Sequence, residues 1–226
     1  MDYETWEPFY DAILADFGYD RAGDEAARDW LAQRVDRFEL DSLRLGGTVA
    51  IAGAAPSLEA DLAVARGADA VVAASDAGVR LAAAGLVPDL VVTDLDGDPE
   101  GTIGLAEDGV PVAVHAHGDN RSALERYVPR FPTERLLGTT QAEPVDPLVN
   151  YGGFTDGDRA AFLADAVGAD RLIFPGWDFD AAEGPKVEKL SWAGVLLHWL
   201  ERHRGARFEL LDGRRTDIDL SGFPAP

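Results

Sequence analysis

Asp94 and Asp96 close an apolar run in the order Thr-Asp-Leu-Asp-Gly-Asp. Two residues apart on extended backbone, they would point the same way. Hard carboxylates with no cysteine or histidine between them suit Mg²⁺, which takes one or two and fills its remaining positions with water and substrate phosphate oxygens. The alternative is an acidic turn in an acid-rich chain. A second group is His115-Ala116-His117-Gly118-Asp119-Asn120, where both histidines share a face by the same period. Such a pair can hold a transition metal, although the nearby carboxylates favour phosphate handling. Asp119 or Asn120 can instead cap a helix starting near Arg121. Lys186 and Lys189, the only lysines in the chain, lie three apart at the start of a helical stretch. That spacing puts both ammonium groups on one face, to serve phosphate oxygens or to remain an ordinary exposed pair.

Shorter signals follow the other apolar runs. Gly53-Ala54-Ala55-Pro56-Ser57 is a small-residue turn that would let a phosphate or ribose approach backbone N–H groups. It has neither the P-loop lysine nor the G-x-G-x-x-G spacing, and a plain tight turn explains it equally well. Asp76, in Ser75-Asp76-Ala77-Gly78, is a helix cap or a ribose or metal contact. Thr139-Thr140-Gln141 offers neutral donors and acceptors that could read the edge of a heterocycle, or belongs to a surface loop. In Gly152-Gly153-Phe154-Thr155-Asp156-Gly157-Asp158, Thr155 and Asp158 have capping-box spacing. That box accounts for neither the glycines nor Asp156. Gly176-Trp177-Asp178 puts another acid beyond an apolar run, and His198 and His203 read as packing or surface residues.

These groups need a frame, and the hydropathy supplies one. Apolar runs at Thr48–Ala52, Ala70–Ala74, Leu90–Thr93, 111–115, 135–137, 171–174 and 207–211 are mostly unbroken rather than alternating, as strands buried on both faces are. Helical stretches at 58–66, 77–84, 122–127, 158–167 and 186–202 lie between them. The expectation is an α/β fold with a doubly wound, mostly parallel sheet of about six or seven strands. Ligands of such sheets bind beyond the carboxyl ends of the strands, where every group above falls. Trp6, Phe9, Ile13 and Phe17, then Trp30, Leu31, Val35 and Phe38, recur at helical spacing. We read residues 1–45 as a helical extension and 46–226 as the catalytic domain. The extension would cover the sheet, close over the site or form a homodimer interface. The polar stretch 138–153 is too long for a routine connection and reads as functional or a lid.

Composition narrows the classes. The chain has 226 residues, 46% of them apolar, which allows one domain-sized core with room for an addition. A formal charge of −21 argues against binding nucleic acid or an anionic membrane, since phosphate affinity needs a basic face. The absence of cysteine removes disulfides, thiol nucleophiles and thiolate metal sites. With no long apolar run and an acidic N-terminus, the expected place is the cytoplasm.

The ordered set of segments resembles a known family. Ser75-Asp76-Ala77-Gly78, Pro88-Asp89-Leu90-Val91-Val92-Thr93-Asp94-Leu95-Asp96-Gly97, His115 to Asn120, Gly152 to Arg159, Gly176-Trp177-Asp178-Phe179 and Lys186-Val187-Glu188-Lys189-Leu190 resemble the archaeal 6-hydroxymethyl-7,8-dihydropterin pyrophosphokinases across about residues 48–200. The Pro88–Asp96 stretch is also similar to the metal-binding strand end of thiamine pyrophosphokinases. The resemblance implies transfer of diphosphate from ATP to the pterin hydroxymethyl oxygen, with release of AMP. It implies Mg²⁺ on Asp94 and Asp96, with Asp119 on the same or a second metal, and Lys186 and Lys189 on the triphosphate. Gly53, Ser57 and Asp76 would hold the nucleotide, and His117 would accept or orient the hydroxyl proton. Thr139, Gln141, Asn150, Gly153, Thr155 and Asp156 would shape the pterin pocket, with Asp156 and Asp178 competing for the guanidine-like edge. Readings kept beside it are a thiamine-type pyrophosphokinase, a nucleotide-sugar-dependent glycosyltransferase and a non-enzymatic nucleotide-binding regulator.

The basic residues are eighteen arginines and two lysines, with acids spread along the whole chain. So acidic and lysine-poor a surface suits a cytosol of molar salt, where screening removes self-repulsion. We expect the melting temperature to rise steeply from very low to molar KCl; a flat response in thermal melts would contradict a halophilic surface.

Overall fold

The computed structural model describes residues 1–226. The strands are β1 (Thr48–Ala52), β2 (Ala70–Ala74), β3 (Leu90–Thr93), β4 (Val112–Ala116), β5 (Leu136–Thr140) and β6 (Arg171–Ile173). They form one sheet in the order β5-β4-β3-β2-β1-β6, and every neighbouring pair is parallel. The chain steps outward from β1 to β5 and then returns to the far side of β1. The order therefore reverses between β1 and β6, and a crevice opens beyond their carboxyl ends.

Alternate residues of each strand feed two cores. Val49, Ile51, Val72, Leu90, Val92 and Leu172 face α1 (Tyr3–Phe17), α7 (Asp156–Ala166) and α8 (Pro185–His203). Ala50, Ala52, Val71, Ala73, Val91 and Val112 face α2 (Arg21–Ala32), α3 (Leu62–Arg66), α4 (Ala77–Ala83), α5 (Pro99–Glu107) and α6 (Arg121–Tyr127). This double burial is why the strands read as unbroken apolar runs. Helix α7 is buried along most of its length between sheet and α8, so its N-terminus is aimed into the crevice region from a fixed position.

The two N-terminal helices go to opposite faces. Asp2 caps α1 by accepting from the Thr5 N–H, and Gly18 ends it at φ +66°. Trp6, Phe9, Tyr10 and Ile13 of α1 join the first core, while Ala27 and Leu31 of α2 join the second. The Trp6 indole donates to the Gln141 carbonyl just past β5, so the pair clasps the sheet at its β5 edge.

Several expectations change. Residues 207–211 are no strand: they form a short turn, Glu209–Leu211, because Phe208 and Leu211 plug the first core while Glu201 accepts the Phe208 N–H. The expected helix at 58–66 is regular only from Leu62, and 135–137 lengthens into β5. Helix α5, which the apolar pattern did not bring out, is set by Asp98 as cap and Pro99 in the first turn. The stretch 138–153 is not a loose lid. It begins as β5 and folds back beside it, with Thr140 and Val149 N–H groups bonded to Val149 and Gly138 carbonyls.

The crevice depends on one close approach. Gly53 N–H donates to the Pro175 carbonyl and Ala55 N–H to the Gly176 carbonyl, tying the loop after β1 to the loop after β6. A Cβ on Gly53 would lie 2.6 Å from the Gly176 oxygen and 2.9 Å from the Trp177 ring. Gly53→Ala should cost about 1–3 kcal/mol of stability in urea unfolding. Gly46→Ala, which meets nothing within 4 Å, is the control and should stay near the parent midpoint.

Candidate active site

The acid group is built by a backbone reversal. Beyond β3 the Thr93 hydroxyl accepts the Leu95 N–H at 2.9 Å, Leu95 turns left-handed at φ +70°, and Asp94 Oδ1 accepts the Asp96 N–H at 3.2 Å. Asp94 and Asp96 converge because of this turn, not through strand alternation. A left-handed leucine is strained, and Ser75 beside it, at φ +53°, is strained likewise. Such conformations persist only where the surroundings impose them. From the other side comes Asp156, first residue of α7. Thr155 and Phe154 both donate backbone N–H groups to Asp158, and this capping box fixes where the helix begins. One oxygen each from Asp94, Asp96 and Asp156 lies within 4.8 Å of the others.

The surroundings decide the charge of each acid. Burial disfavours ionised Asp94, but the hydrogen bond from His117 and the charge of Arg159 outweigh it and hold its carboxyl well below the usual range. His117 Nε2 lies 3.3 Å from Asp94 Oδ2. Asn120 locks this corner, its amide donating to the Asp94 and His115 carbonyls at 2.8 and 2.7 Å while its oxygen accepts the His117 N–H. Asp96 is pushed up by loss of solvent and by the Asp94 charge. Asp156 goes well above the usual range through burial and Asp94, with Arg159, 3.0 Å away, pulling the other way. Three hard oxygen donors that resist being charged together form a donor set matched to a divalent cation, whose charge would oppose the upward shifts of Asp96 and Asp156.

Beside the acids a cavity of about 400 Å³ opens to solvent. Gly53, Ala54, Ser75 and Asp76 form one wall, Thr155 and Gly157 another, and Trp177, Asp178 and Phe179 a third. The Trp177 indole donates to the Ile51 carbonyl at 2.9 Å, and Gly157 leaves room for its ring. Lys186 and Lys189 line the rim, both exposed. Every ion pair in the structure uses arginine or histidine as its cation, so neither lysine is committed elsewhere.

The remaining expected residues divide by depth. Gly53 lines the cavity but its N–H is taken by Pro175, so it offers shape rather than a donor. Asp76 lines it and makes no capping hydrogen bond. Ser57 is not on the cavity wall, and its hydroxyl is buried without a partner. Asp178 Oδ1 accepts the Asp180 and Ala181 N–H groups. Asp119 is exposed and outside the acid group, where Asp156 stands instead. Thr139, Gln141, Asn150 and Gly153 do not line this cavity; Thr139 and Asn150 line a second, far smaller one of about 20 Å³. Thr139 meets His115 Nδ1 at 2.9 Å, and Asn150 donates to the Gln141 and Ala142 carbonyls. Gly153 packs against Arg159. Two residues of this layer were not singled out by the sequence. Arg159 could have been found from its i, i+3 spacing to Asp156; Asp24 carried no signal, being one acid on a polar helix.

An acid triad beyond the carboxyl end of β3 in a doubly wound parallel sheet, with lysines across an open cavity, is the architecture of an α/β enzyme that handles charged small molecules. The family model described as 6-hydroxymethylpterin diphosphokinase MptE-like matches residues 29–184, and the chain belongs to that family. It is 39% identical over 236 residues to the 6-hydroxymethyl-7,8-dihydropterin pyrophosphokinase of Methanothermobacter thermautotrophicus, covering 92% of this chain and 99% of the relative. The proteins of the same name from Pyrococcus furiosus and Methanocaldococcus jannaschii are 39% and 31% identical, covering 92% and 89% of this chain and 97% and 96% of their own lengths. A solved MAf glycosyltransferase from Magnetospirillum magneticum AMB-1 aligns with 79% of this chain and 33% of its own at 19% identity and a TM-score of 0.48.

The raised Asp156 pKa has a sign that can be tested. Its carboxyl binds a proton more tightly in the folded than in the unfolded state, so its ionisation destabilises the fold and that loss is recovered as pH falls. Asp156→Asn should therefore raise the melting temperature in EDTA at pH 7, with the gain shrinking toward pH 4. A lower melting temperature for the variant at pH 7 would contradict this electrostatic account.

Proposed function

We propose that this chain is a 6-hydroxymethyl-7,8-dihydropterin pyrophosphokinase. It moves the terminal diphosphate of ATP to the pterin hydroxymethyl oxygen and releases AMP, a step in making a pterin-type cofactor. The observation that carries the reading is the carboxylate triad of Asp94, Asp96 and Asp156 facing Lys186 and Lys189 across one cavity. Near full-length relatives of that name support it.

Asp94, Asp96 and Asp156 hold Mg²⁺ in this reading, with Asp156 in the place expected of Asp119. When bound, the ion neutralises charge on the phosphate oxygens. The protein's own task is positioning. Lys186 and Lys189 close on the polyphosphate as mobile charges, and their reach suits a group that must be released as product. Gly53, Ala54 and Asp76 give the nucleoside a wall. The pterin stacks near Trp177 and Phe179, with Thr155 and Asp178 reaching its polar edge. With Asp156 in the acid group, Asp178 takes the guanidine-like edge. His117 lies behind Asp94 and acts by orienting it. Thr139, Gln141, Asn150 and Gly153 support this floor from below.

No helix is long and apolar enough to cross a membrane. With the net charge of −21, this fits an enzyme of small molecules in a salt-rich cytoplasm. The nucleotide-sugar alternative draws nothing from the three pyrophosphokinase relatives.

The test is product analysis in high KCl with Mg²⁺, ATP and 6-hydroxymethyl-7,8-dihydropterin. AMP and the pterin diphosphate should form in equal amounts, and folded protein that yields neither overturns the reading. Asp94→Asn or Asp96→Asn should lower kcat/KM by about a hundredfold or more, a loss of roughly 3 kcal/mol of transition-state stabilisation. Asp119→Asn should keep most of the activity, since its side chain stands in solvent.

A further inference from the structure

Asp24 sits on α2, yet only 3% of it is exposed. A carboxylate is costly to bury unless its oxygens are hydrogen-bonded, and three donors surround this one. The Tyr10 hydroxyl donates to Oδ2 at 2.6 Å, Gln141 Nε2 donates to Oδ2 at 2.7 Å, and the Gly118 N–H donates to Oδ1 at 2.7 Å. Two of these contacts lead to the acid triad by separate routes.

The first route runs through Gln141. Because its Nε2 donates to a carboxylate, its Oε1 must face the other way, where Arg159 donates at 3.4 Å. Arg159 in turn donates through its other terminal nitrogen to Asp156 Oδ1 at 3.0 Å. The second route runs through Gly118, whose N–H pins the turn after His117. That turn sets His117 Nε2 against Asp94. Backbones touch here as well: a Cβ on Gly118 would stand 3.2 Å from the Gly23 carbonyl carbon. One buried carboxylate in the N-terminal segment thus holds, through two chains of hydrogen bonds, an acid from each side of the triad.

We propose that Asp24 is a positioning residue for the cation site, acting on Asp156 through Gln141 and Arg159 and on Asp94 through Gly118 and His117. The inference rests on the triad being the cation site of the proposed reaction. It gives the N-terminal helices a task in the chemistry in addition to covering the sheet edge. Outer hydrogen-bond partners of a metal site typically change metal affinity by 10–100-fold when removed.

The test compares Mn²⁺ binding, followed by electron paramagnetic resonance in high KCl, for the full chain and three variants, with thermal melts and ATP kinetics alongside. Asp24→Asn turns an acceptor into a donor facing Gln141 or Gly118, and Gln141→Met removes both bonds of the first route at similar volume. Each should weaken Mn²⁺ binding by about tenfold and lower kcat more than it raises the KM for ATP. Ile13→Val loosens the α1 core without touching either route, so it should lower the melting temperature and keep parental Mn²⁺ affinity. Should Asp24→Asn not fold, Gln141→Met decides. Folded variants that bind Mn²⁺ within about twofold of the parent overturn the positioning role, as does an equal loss in Ile13→Val. A parent chain that takes up no Mn²⁺ overturns the cation site itself, and this role with it.

Discussion

Asp94, Asp96 and Asp156 repel one another, and the fold must hold them together against that repulsion while no cation is bound. The parallel sheet does the first part by ending β3 at the crevice and aiming the N-terminus of α7 at the same point. Arg159 and His117 do the second part by placing donors on the outer sides of the group. The strain at Leu95 belongs to this arrangement, because only the left-handed turn brings Asp96 back beside Asp94. A divalent cation at this point would offset the electrostatic cost of assembling the group, which is why the proposed function places one there.

The same economy of space shapes the cavity. Gly53 and Gly176 let two loops touch, and the Gly53 and Ala55 N–H groups are taken up by that contact. Trp177 then fills the gap against Gly157 and presents an aromatic wall. Positive charge is left to the rim of α8, on the only two lysines the chain has. In a protein whose other side-chain cations are mostly arginines, most of them in ion pairs with neighbouring acids, two uncommitted ammonium groups stand at the mouth of the cavity.

The sheet, its direction and the two N-terminal helices were legible from hydropathy, because burial on both faces writes continuous apolar runs into the chain, and the acid group and cavity do fall beyond the strand ends. The capping box at Thr155 and Asp158 was legible for a local reason, since donor and acceptor lie three residues apart. The stretch 207–211 misled because burial in a core needs the same residues as burial in a sheet, and only a partner strand distinguishes them. Thr139, Gln141 and Asn150 have polar types suited to a pocket, but those same groups satisfy buried carbonyls and side chains one layer down.

Residue type and spacing by themselves determined the class of fold and the hard-oxygen character of the acid group, while the convergence of Asp94 and Asp96 came from the left-handed turn at Leu95. Tertiary structure alone decided that the third carboxylate of the acid group is Asp156 rather than Asp119, and that Asp24, a hundred and more positions away from both Gln141 and Arg159, joins them in one chain of hydrogen bonds. The physical reason is separation along the chain. Periodicity and capping act over a few residues, whereas like charges from different elements meet only where the packing of the whole sheet brings them together.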